Sequence, residues 1–174
     1  MDLFITSDRL GDCRGRLNWT VTTVAGESIS EGSLDVDVPA RASRKAKTLL
    51  LADALKKYGK NNVLVWMSLD VEGRRVSDNM VAFVYPKEMD LVDPHLVAEV
   101  TEQSGGFKVK LKAAHPALWT WLELDDLDAR YSQNFLHVTD RCPAEITVQP
   151  AKALSREEFE KALRVRSLFD TYAK

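Results

Sequence analysis

The sequence predicts an all-β fold built as two tandem β-sandwiches. Short segments alternate between apolar and polar residues, which is the period-two pattern of half-buried strands. Turn-forming residues separate these segments at the close spacing that is typical of sandwiches. Between successive strands there is no helix-length segment, so the order of elements does not match a repeated βαβ unit. The expected boundary divides the chain into residues 1–88 and 89–174.

Composition limits the classes of function. The chain has 174 residues, of which 45% are hydrophobic and 29% charged, as in an ordinary globular protein. The net charge of −2 argues against a nucleic-acid partner, which needs a clustered basic face. Arg41, Arg44, Lys45 and Lys47 do cluster, and we expect them in a solvated loop. Because all apolar runs fall short of the roughly 20 residues that span a bilayer, we expect no membrane partner.

Five strands are predicted in the first half outside the ambiguous residues 40–60. In one of them Leu17, Trp19 and Val21 alternate with polar residues, so one face is buried and the other is solvated. Trp19 and Trp66 lie in apolar strands and are expected in the core. The other predicted strands span residues 3–7, 34–38, 63–71 and 77–85.

Residues 40–60 are ambiguous, because periodicity alone does not separate a strand from a short helix here. We predict a strand near Thr48 to Leu51, followed by a turn or helical loop to Lys60. Residues 76–91 are predicted to form the last hairpin strand and the joint to the second half. Ser77-Asp78-Asn79 is interpreted as a turn, with Ser132-Gln133-Asn134 at the equivalent place in the second half.

The second half contains the clearest amphipathic strand, residues 107–113, in which apolar residues alternate with three lysines. Ser155 and Glu158 have the spacing of a capping box, which predicts one or two helical turns to Ala162. The remaining predicted strands span residues 95–101, 119–124, 134–138, 145–149 and 163–172.

The sequence contains no nucleophile elbow, phosphate-binding glycine loop, zinc motif or dinucleotide fingerprint. We therefore expect no catalytic residue, no metal and no cofactor. Asp125, Asp126 and Asp128 are expected to form a solvated turn, because no calcium-ligand pattern follows them. Structural or surface roles are expected for the three histidines, and free thiols for the two cysteines: His95, His115, His137, Cys13 and Cys142.

Trp119 and Trp121 share one face of a predicted strand. On an exposed face they could stack on sugar rings, whereas on an inner face they would be core. Adjacent buried aromatic residues are the default in sandwiches, so we expect the core position and keep carbohydrate binding as the alternative. Glu123 lies near Asp125 and Asp126, but spacing alone does not make these acids a glycosidase pair.

Three segments resemble a known family. They are Asn62-Val63-Leu64-Val65 to Leu69 with its hairpin partner, Val84-Tyr85-Pro86-Lys87-Glu88-Met89-Asp90-Leu91, and Asp128-Ala129-Arg130-Tyr131-Ser132-Gln133-Asn134-Phe135. Together they resemble the C-terminal β-sandwich region of family 2 glycoside hydrolases of the β-mannosidase type. Gln133 replaces the usual Asp of the family, and Val138-Thr139-Asp140 replaces a turn similar to Leu-Pro-Gly.

The resemblance implies two immunoglobulin-like sandwiches that follow a (β/α)8 catalytic barrel in the full-length enzyme. That barrel carries the catalytic glutamates of the family, so no acid of this chain takes over their role. The leading hypothesis is a non-catalytic C-terminal fragment that braces the barrel of an enzyme cleaving terminal β-mannosyl residues. A periplasmic, lysosomal or secreted location remains open for that parent, as does a homo-oligomer.

Two other functions remain open. One is a carbohydrate-binding module, which would use Trp119 and Trp121. The other is a protein-interaction pair of immunoglobulin-like domains, which depends only on analogy of fold.

Overall fold

The computed structural model describes residues 1–172. It separates the chain into two compact units, Met1–Asp90 and Leu91–Lys174. The strands form antiparallel pairs within four sheets, two in each unit. The predicted all-β class of two immunoglobulin-like sandwiches is confirmed.

The first unit pairs a four-stranded sheet of order β3-β2-β5-β6 with a two-stranded sheet of β1 and β4. Its elements are β1 (Asp2–Ser7), β2 (Cys13–Thr23), β3 (Ser28–Val38), β4 (Ala42–Thr48), α1 (Ala52–Tyr58), β5 (Val63–Val71) and β6 (Arg74–Ala82).

Alternation along β2 and β5 builds the core of this unit. Leu17, Val21 and Val65 are buried in one cluster, and Trp19 packs against that cluster while remaining half-buried. Trp66, also expected in the core, is half-buried, on the face of β5 that carries the fully buried Leu64. Because neighbouring side chains of a strand point to opposite faces, Trp66 faces away from Val65, and its Nε1–H donates to Thr22 Oγ1 over 2.9 Å.

The strand predicted at Thr48 to Leu51 lies earlier, at β4, and the helical loop is α1. Among the described strands β4 pairs only with β1, and most of its side chains are exposed, so it lacks the apolar alternation that marks a strand. The basic cluster expected in a loop therefore falls largely on this strand. Lys45 forms an ion pair of 2.9 Å with Asp2 of β1.

Ser77, Asp78 and Asn79 lie inside β6 and do not form the predicted turn. The hairpin turns at Glu72 and Gly73, whose φ angles of 53° and 75° are those of a two-residue hairpin turn with left-handed backbone. The proposed equivalence with Ser132-Gln133-Asn134 is wrong, because that segment lies between two strands.

The second unit pairs a four-stranded sheet of order β10-β12-β8-β7 with a three-stranded sheet of order β11-β9-β13, seven strands in all. This is the number of strands in a constant-type immunoglobulin sandwich. Its elements are β7 (Val97–Gln103), β8 (Gly106–Lys112), β9 (Ala117–Leu124), β10 (Ala129–Tyr131), β11 (Leu136–Val138), β12 (Ala144–Pro150), α2 (Arg156–Ala162) and β13 (Leu163–Arg166).

The amphipathic strand predicted at 107–113 is confirmed as β8. Phe107, Val109 and Leu111 are buried, and they share one core cluster with side chains from β9 and β12. Phe159 of α2 is fully buried in the same cluster. Its ring stacks on Phe107 with centroids 4.0 Å apart. The short helix therefore contributes an aromatic ring to the core of a β domain.

The capping box that begins α2 is confirmed. Glu158 N–H donates to Ser155 Oγ over 3.3 Å, and Ser155 N–H donates to Glu158 Oε2 over 2.8 Å. The strand predicted at 163–172 ends at Arg166 and is followed by a 3-10 helix, Leu168–Thr171. The strand ends early because a capping interaction begins the 3-10 helix: Ser167 N–H donates to Asp170 Oδ2 over 2.7 Å. The strand predicted at 95–101 lies at β7 instead.

Candidate functional site

The segment between β10 and β11 crosses from one sheet of the second unit to the other. At its start Ser132 continues the pairing with β12. Ser132 N–H donates to Thr147 O over 2.9 Å, and Thr147 N–H donates to Ser132 Oγ over 3.0 Å. Gln133 Nε2 then donates to Glu145 O over 3.2 Å. Polar side chains thus replace the backbone ladder where the main chain leaves the sheet.

Asn134 makes the corresponding attachment to β9. Its Oδ1 accepts from Leu122 N–H over 2.8 Å, and its Nδ2 donates to Leu122 O over 2.9 Å. Leu136 pairs with Thr120, so Leu122 is the residue that the backbone of Asn134 would meet if the ladder continued. The side chain therefore satisfies both backbone groups that the departing strand would leave open.

Phe135 is held in an unusual conformation by this attachment. Its φ is 58°, in the left-handed region that non-glycine residues seldom adopt, and its N–H donates to Asn134 Oδ1 over 3.3 Å. The side chain is 64% exposed. Its ring lies nearly parallel to that of Trp121, with centroids 6.0 Å apart and planes 18° apart. The crossing segment thus presents an aromatic ring to solvent beside a second one.

Trp119 marks an irregularity in β9. Its φ is 46°, and the register between β9 and β11 shifts at this point. Trp119 N–H donates to Nδ1 of His137 over 3.2 Å, and the two rings meet edge to face with centroids 5.3 Å apart. Since Nδ1 accepts this bond, His137 is held as the tautomer that carries its proton on Nε2.

Trp119 and Trp121 do share a face, but the expectation that they lie in the core is wrong. Thr120 and Leu122 are buried, whereas both tryptophans are half-buried on the opposite face of β9. We call the set Trp119, Trp121, Phe135 and His137 the aromatic face.

Phe135 and His137 fall in the strand predicted at 134–138, but the sequence did not predict that this strand pairs with β9 and brings them beside the tryptophans. The charge of Glu123 could have indicated which face of β9 is exposed, because Glu123 lies on the same face as the two tryptophans.

Two ion pairs flank the aromatic face. Arg166 is the cross-strand neighbour of Trp121, and its guanidinium lies 3.3 Å from a carboxylate oxygen of Glu123. Arg164 forms a close ion pair with Asp125. The acids that might have formed a glycosidase pair thus contact arginines at the surface. The flank therefore offers both guanidinium donors and carboxylate acceptors beside the rings.

Tyr131 supports the crossing segment from the inner side. It is half-buried against the core of the second unit and forms a hydrogen bond with the Leu124 backbone. Burial raises the pKa of the Tyr131 phenol above its usual range, the hydrogen bond opposing this effect. Tyr131 and Asn134 thus tie the segment to β9 on both sides of the sequence Ser132-Gln133.

The other candidate residues are dispersed. Cys13 and Cys142 are free, as expected. Within residues 1–172, no cluster of three or more His, Cys, Asp or Glu side chains has the geometry of a metal site. The same part of the chain contains no helix with the length and apolarity to cross a membrane. Asp125 and Asp126 lie in the turn that follows β9, as expected.

Both units match family models. Residues 1–88 match the mannosidase Ig/CBM-like domain, and residues 91–171 match an Ig-fold domain of the mannosidase type. Among solved structures, a β-D-mannosidase from Dictyoglomus thermophilum aligns over 95% of this chain and 20% of its own, with a TM-score of 0.76 at 20% identity. The exo-chitosanase CsxA of Amycolatopsis orientalis aligns over 96% of this chain and 24% of its own, with a TM-score of 0.62 at 12% identity.

Curated relatives agree with these matches. A protein named β-mannosidase A from Aspergillus flavus is 29% identical over 71% of this chain and 15% of its own length. Another from Aspergillus fumigatus is 23% identical over 98% of this chain and 20% of its own length. The chain thus spans a fifth or less of these two relatives. It belongs to the family of immunoglobulin-like domains found in family 2 glycoside hydrolases of the β-mannosidase type.

Proposed function

We propose that this chain is the non-catalytic accessory region of an enzyme that hydrolyses terminal β-mannosyl residues. The observation that carries the proposal is the match of both units, residues 1–88 and 91–171, to domains of mannosidases. The proposed domains are residues 1–88 and 89–174. In this role the two sandwiches contact the catalytic barrel of the longer protein and stabilise it.

The surface acids support a non-catalytic role. A retaining glycosidase needs two carboxyl groups about 5–5.5 Å apart across a bound sugar, one of them kept protonated. Here Glu123 and Asp125 each contact an arginine, Arg166 and Arg164 respectively, and side-chain exposures of 45% and 47% keep both acids at the surface. Both acids are therefore engaged in surface ion pairs with arginines.

The first test is enzymatic. The purified chain should not hydrolyse an aryl β-mannoside, whereas the polypeptide encoded by the complete reading frame should. Turnover by the chain that survives purification and disappears in a Glu123→Gln variant would overturn the accessory role. A complete reading frame without a catalytic barrel would overturn the proposal as a whole.

A second test concerns the contact with the barrel. Removing the two sandwiches from the longer enzyme should lower its thermal unfolding temperature and accelerate its inactivation. If the truncated enzyme keeps the unfolding temperature of the complete one, the sandwiches do not brace the barrel. Self-association through this chain stays a prediction, which sedimentation velocity would check.

A further inference from the structure

We propose that Trp121 and Phe135 form a binding site for a β-linked mannosyl ring. The choice of sugar rests on the proposed function, whereas the site itself rests on the aromatic face. The rings supply a stacking surface, and the Arg166–Glu123 pair supplies groups that bind hydroxyls.

The relative position of the two rings leaves part of each ring face uncovered by the other ring. Their planes are 18° apart and their centroids 6.0 Å apart. With the planes in ordinary contact at about 3.5–4 Å, this separation leaves a lateral offset of about 4.5–5 Å. The rings therefore overlap only in part, and they form a stepped surface about two rings wide. Phe135 is 64% exposed, so its part of this surface faces solvent, whereas Trp121 is half-buried.

The surface is rigid before any ligand arrives. Asn134 binds both backbone groups of Leu122 and accepts from Phe135 N–H, so the backbone that carries the phenyl ring is fixed at three points. Trp121 lies within β9, between β11 and β13. A preformed surface binds with less loss of conformational entropy than a mobile one. The exposed ring of Phe135 is thus held in a fixed position in which it can contact a ligand.

The polar flank matches the rim of a sugar. Arg166 lies directly across from Trp121 in the strand pairing, and its guanidinium contacts the carboxylate of Glu123. Both side chains are about half-exposed, at 51% and 45%, so each keeps unshared donors or acceptors toward solvent. A ring lying on Trp121 would place its equatorial hydroxyls toward this pair.

The shape of a β-mannoside suits this site. In the β anomer the C–H bonds at C1, C3 and C5 project from one face of the pyranose, which is therefore apolar and can contact an aromatic ring by dispersion. In the α anomer the glycosidic oxygen is axial and takes the place of the C1–H bond on that face. The stacking surface therefore distinguishes the two anomers, with the β-linked sugar preferred.

The test is an NMR titration of the 174-residue chain with methyl β-D-mannopyranoside, followed at the indole N–H of Trp121. The Trp121→Phe variant assigns that signal. We expect saturable shifts with a dissociation constant in the millimolar range, and weaker binding of the α anomer. Phe135→Asn removes the ring while keeping a residue that tolerates positive φ, so the fold is preserved. This variant should weaken binding about fivefold or more.

Phe4→Ala is the matched control, because Phe4 is 62% exposed but lies on β1 of the first unit. It should bind the sugar as the parent chain does. Equal binding by Phe135→Asn, equal binding of the two anomers, or no shift at Trp121 would each overturn the inference. No shift combined with a Phe135→Asn variant that destabilises the longer protein would assign the aromatic face to packing between domains instead.

These results separate the two proposals. A longer enzyme that hydrolyses β-mannosides while this chain binds no sugar overturns the site alone. A chain that binds the β anomer, within a longer protein that does not hydrolyse β-mannosides, supports the site and overturns the proposed function.

Discussion

Replacing Asn134 with alanine tests whether one side chain joins the crossing segment to β9. The change removes both hydrogen bonds to Leu122, of 2.8 and 2.9 Å, and the acceptor of Phe135 N–H. A hydrogen bond contributes about 0.5–1.5 kcal/mol net, so losing the two to Leu122 should lower the free energy of unfolding of the second unit by about 2 kcal/mol. Leu122 is 1% exposed, which limits replacement of these bonds by water.

Amide hydrogen exchange gives the sharpest measurement of this effect. Each unit contains two tryptophans, so tryptophan fluorescence reports on both units and does not separate them. The amide of Leu122 can be followed by itself, and 2 kcal/mol corresponds to exchange about thirtyfold faster if it occurs by unfolding of this unit. Urea unfolding should show the same loss as a midpoint lowered by about 1–2 M in the second unit.

Gln133→Ala is the matched control for this experiment. Gln133 neighbours Asn134, and within residues 1–172 its exposed side chain makes a single hydrogen bond, of 3.2 Å to Glu145 O. Its loss should cost under about 1 kcal/mol. If both variants lose the same stability, or if the Leu122 amide exchanges at its original rate in Asn134→Ala, the side chain does not replace the ladder.

Two further predictions concern the close contact between Gly32 and Trp19 and the carboxyl group of Glu158 in the capping box of α2. Gly32→Ala would place a Cβ in steric conflict with the Trp19 ring and should lower the free energy of unfolding by about 1–3 kcal/mol. Gly11→Ala is the control, because its added Cβ would meet nothing within 4 Å beyond its chain neighbours, and it should be nearly neutral in the same denaturation assay. Hydrogen bonds from the backbone and side chain of Ser155 hold the pKa of Glu158 below its ordinary 4.5. The cap therefore stabilises the fold fully above pH 4.5, and this stabilisation is lost as the pH falls through the lowered pKa. Ser155→Ala should raise the pKa of Glu158 in an NMR titration of its carboxyl carbon, and an unchanged value would contradict the role of the serine side chain.

The strands that could be predicted are those whose burial follows period two. In β8, Phe107, Val109 and Leu111 face the core and lysines face water, so the pattern specifies both the strand and its orientation. β4 could not be located in this way, because it lies at the edge of a two-stranded sheet and most of its side chains are exposed. That strand forms through backbone pairing with β1, and backbone pairing leaves no pattern of apolar side chains from which the strand could be predicted.

Period two relates residues of a strand to each other, but it does not by itself assign a face to the core. It placed Trp119 and Trp121 together correctly, and the preference of large aromatic residues for burial then suggested the wrong face. The rest of β9 contained the missing information. Leu122 and Leu124 lie in one phase and Glu123 in the other, so burying the tryptophans would have buried the acid and exposed two leucines.

Ser77-Asp78-Asn79 and Ser132-Gln133-Asn134 show where local sequence stops being informative. The first segment continues β6, where the backbone pairs with β5 in register. The second lies between strands, where Ser132 and Asn134 replace that pairing with their side chains. Serine and asparagine permit both arrangements, because their side chains carry the same kinds of donor and acceptor as the backbone. The choice between them depends on whether a partner strand is present, which is a property of the sheet. Any function of Phe135 therefore depends on contacts that the segment itself does not encode.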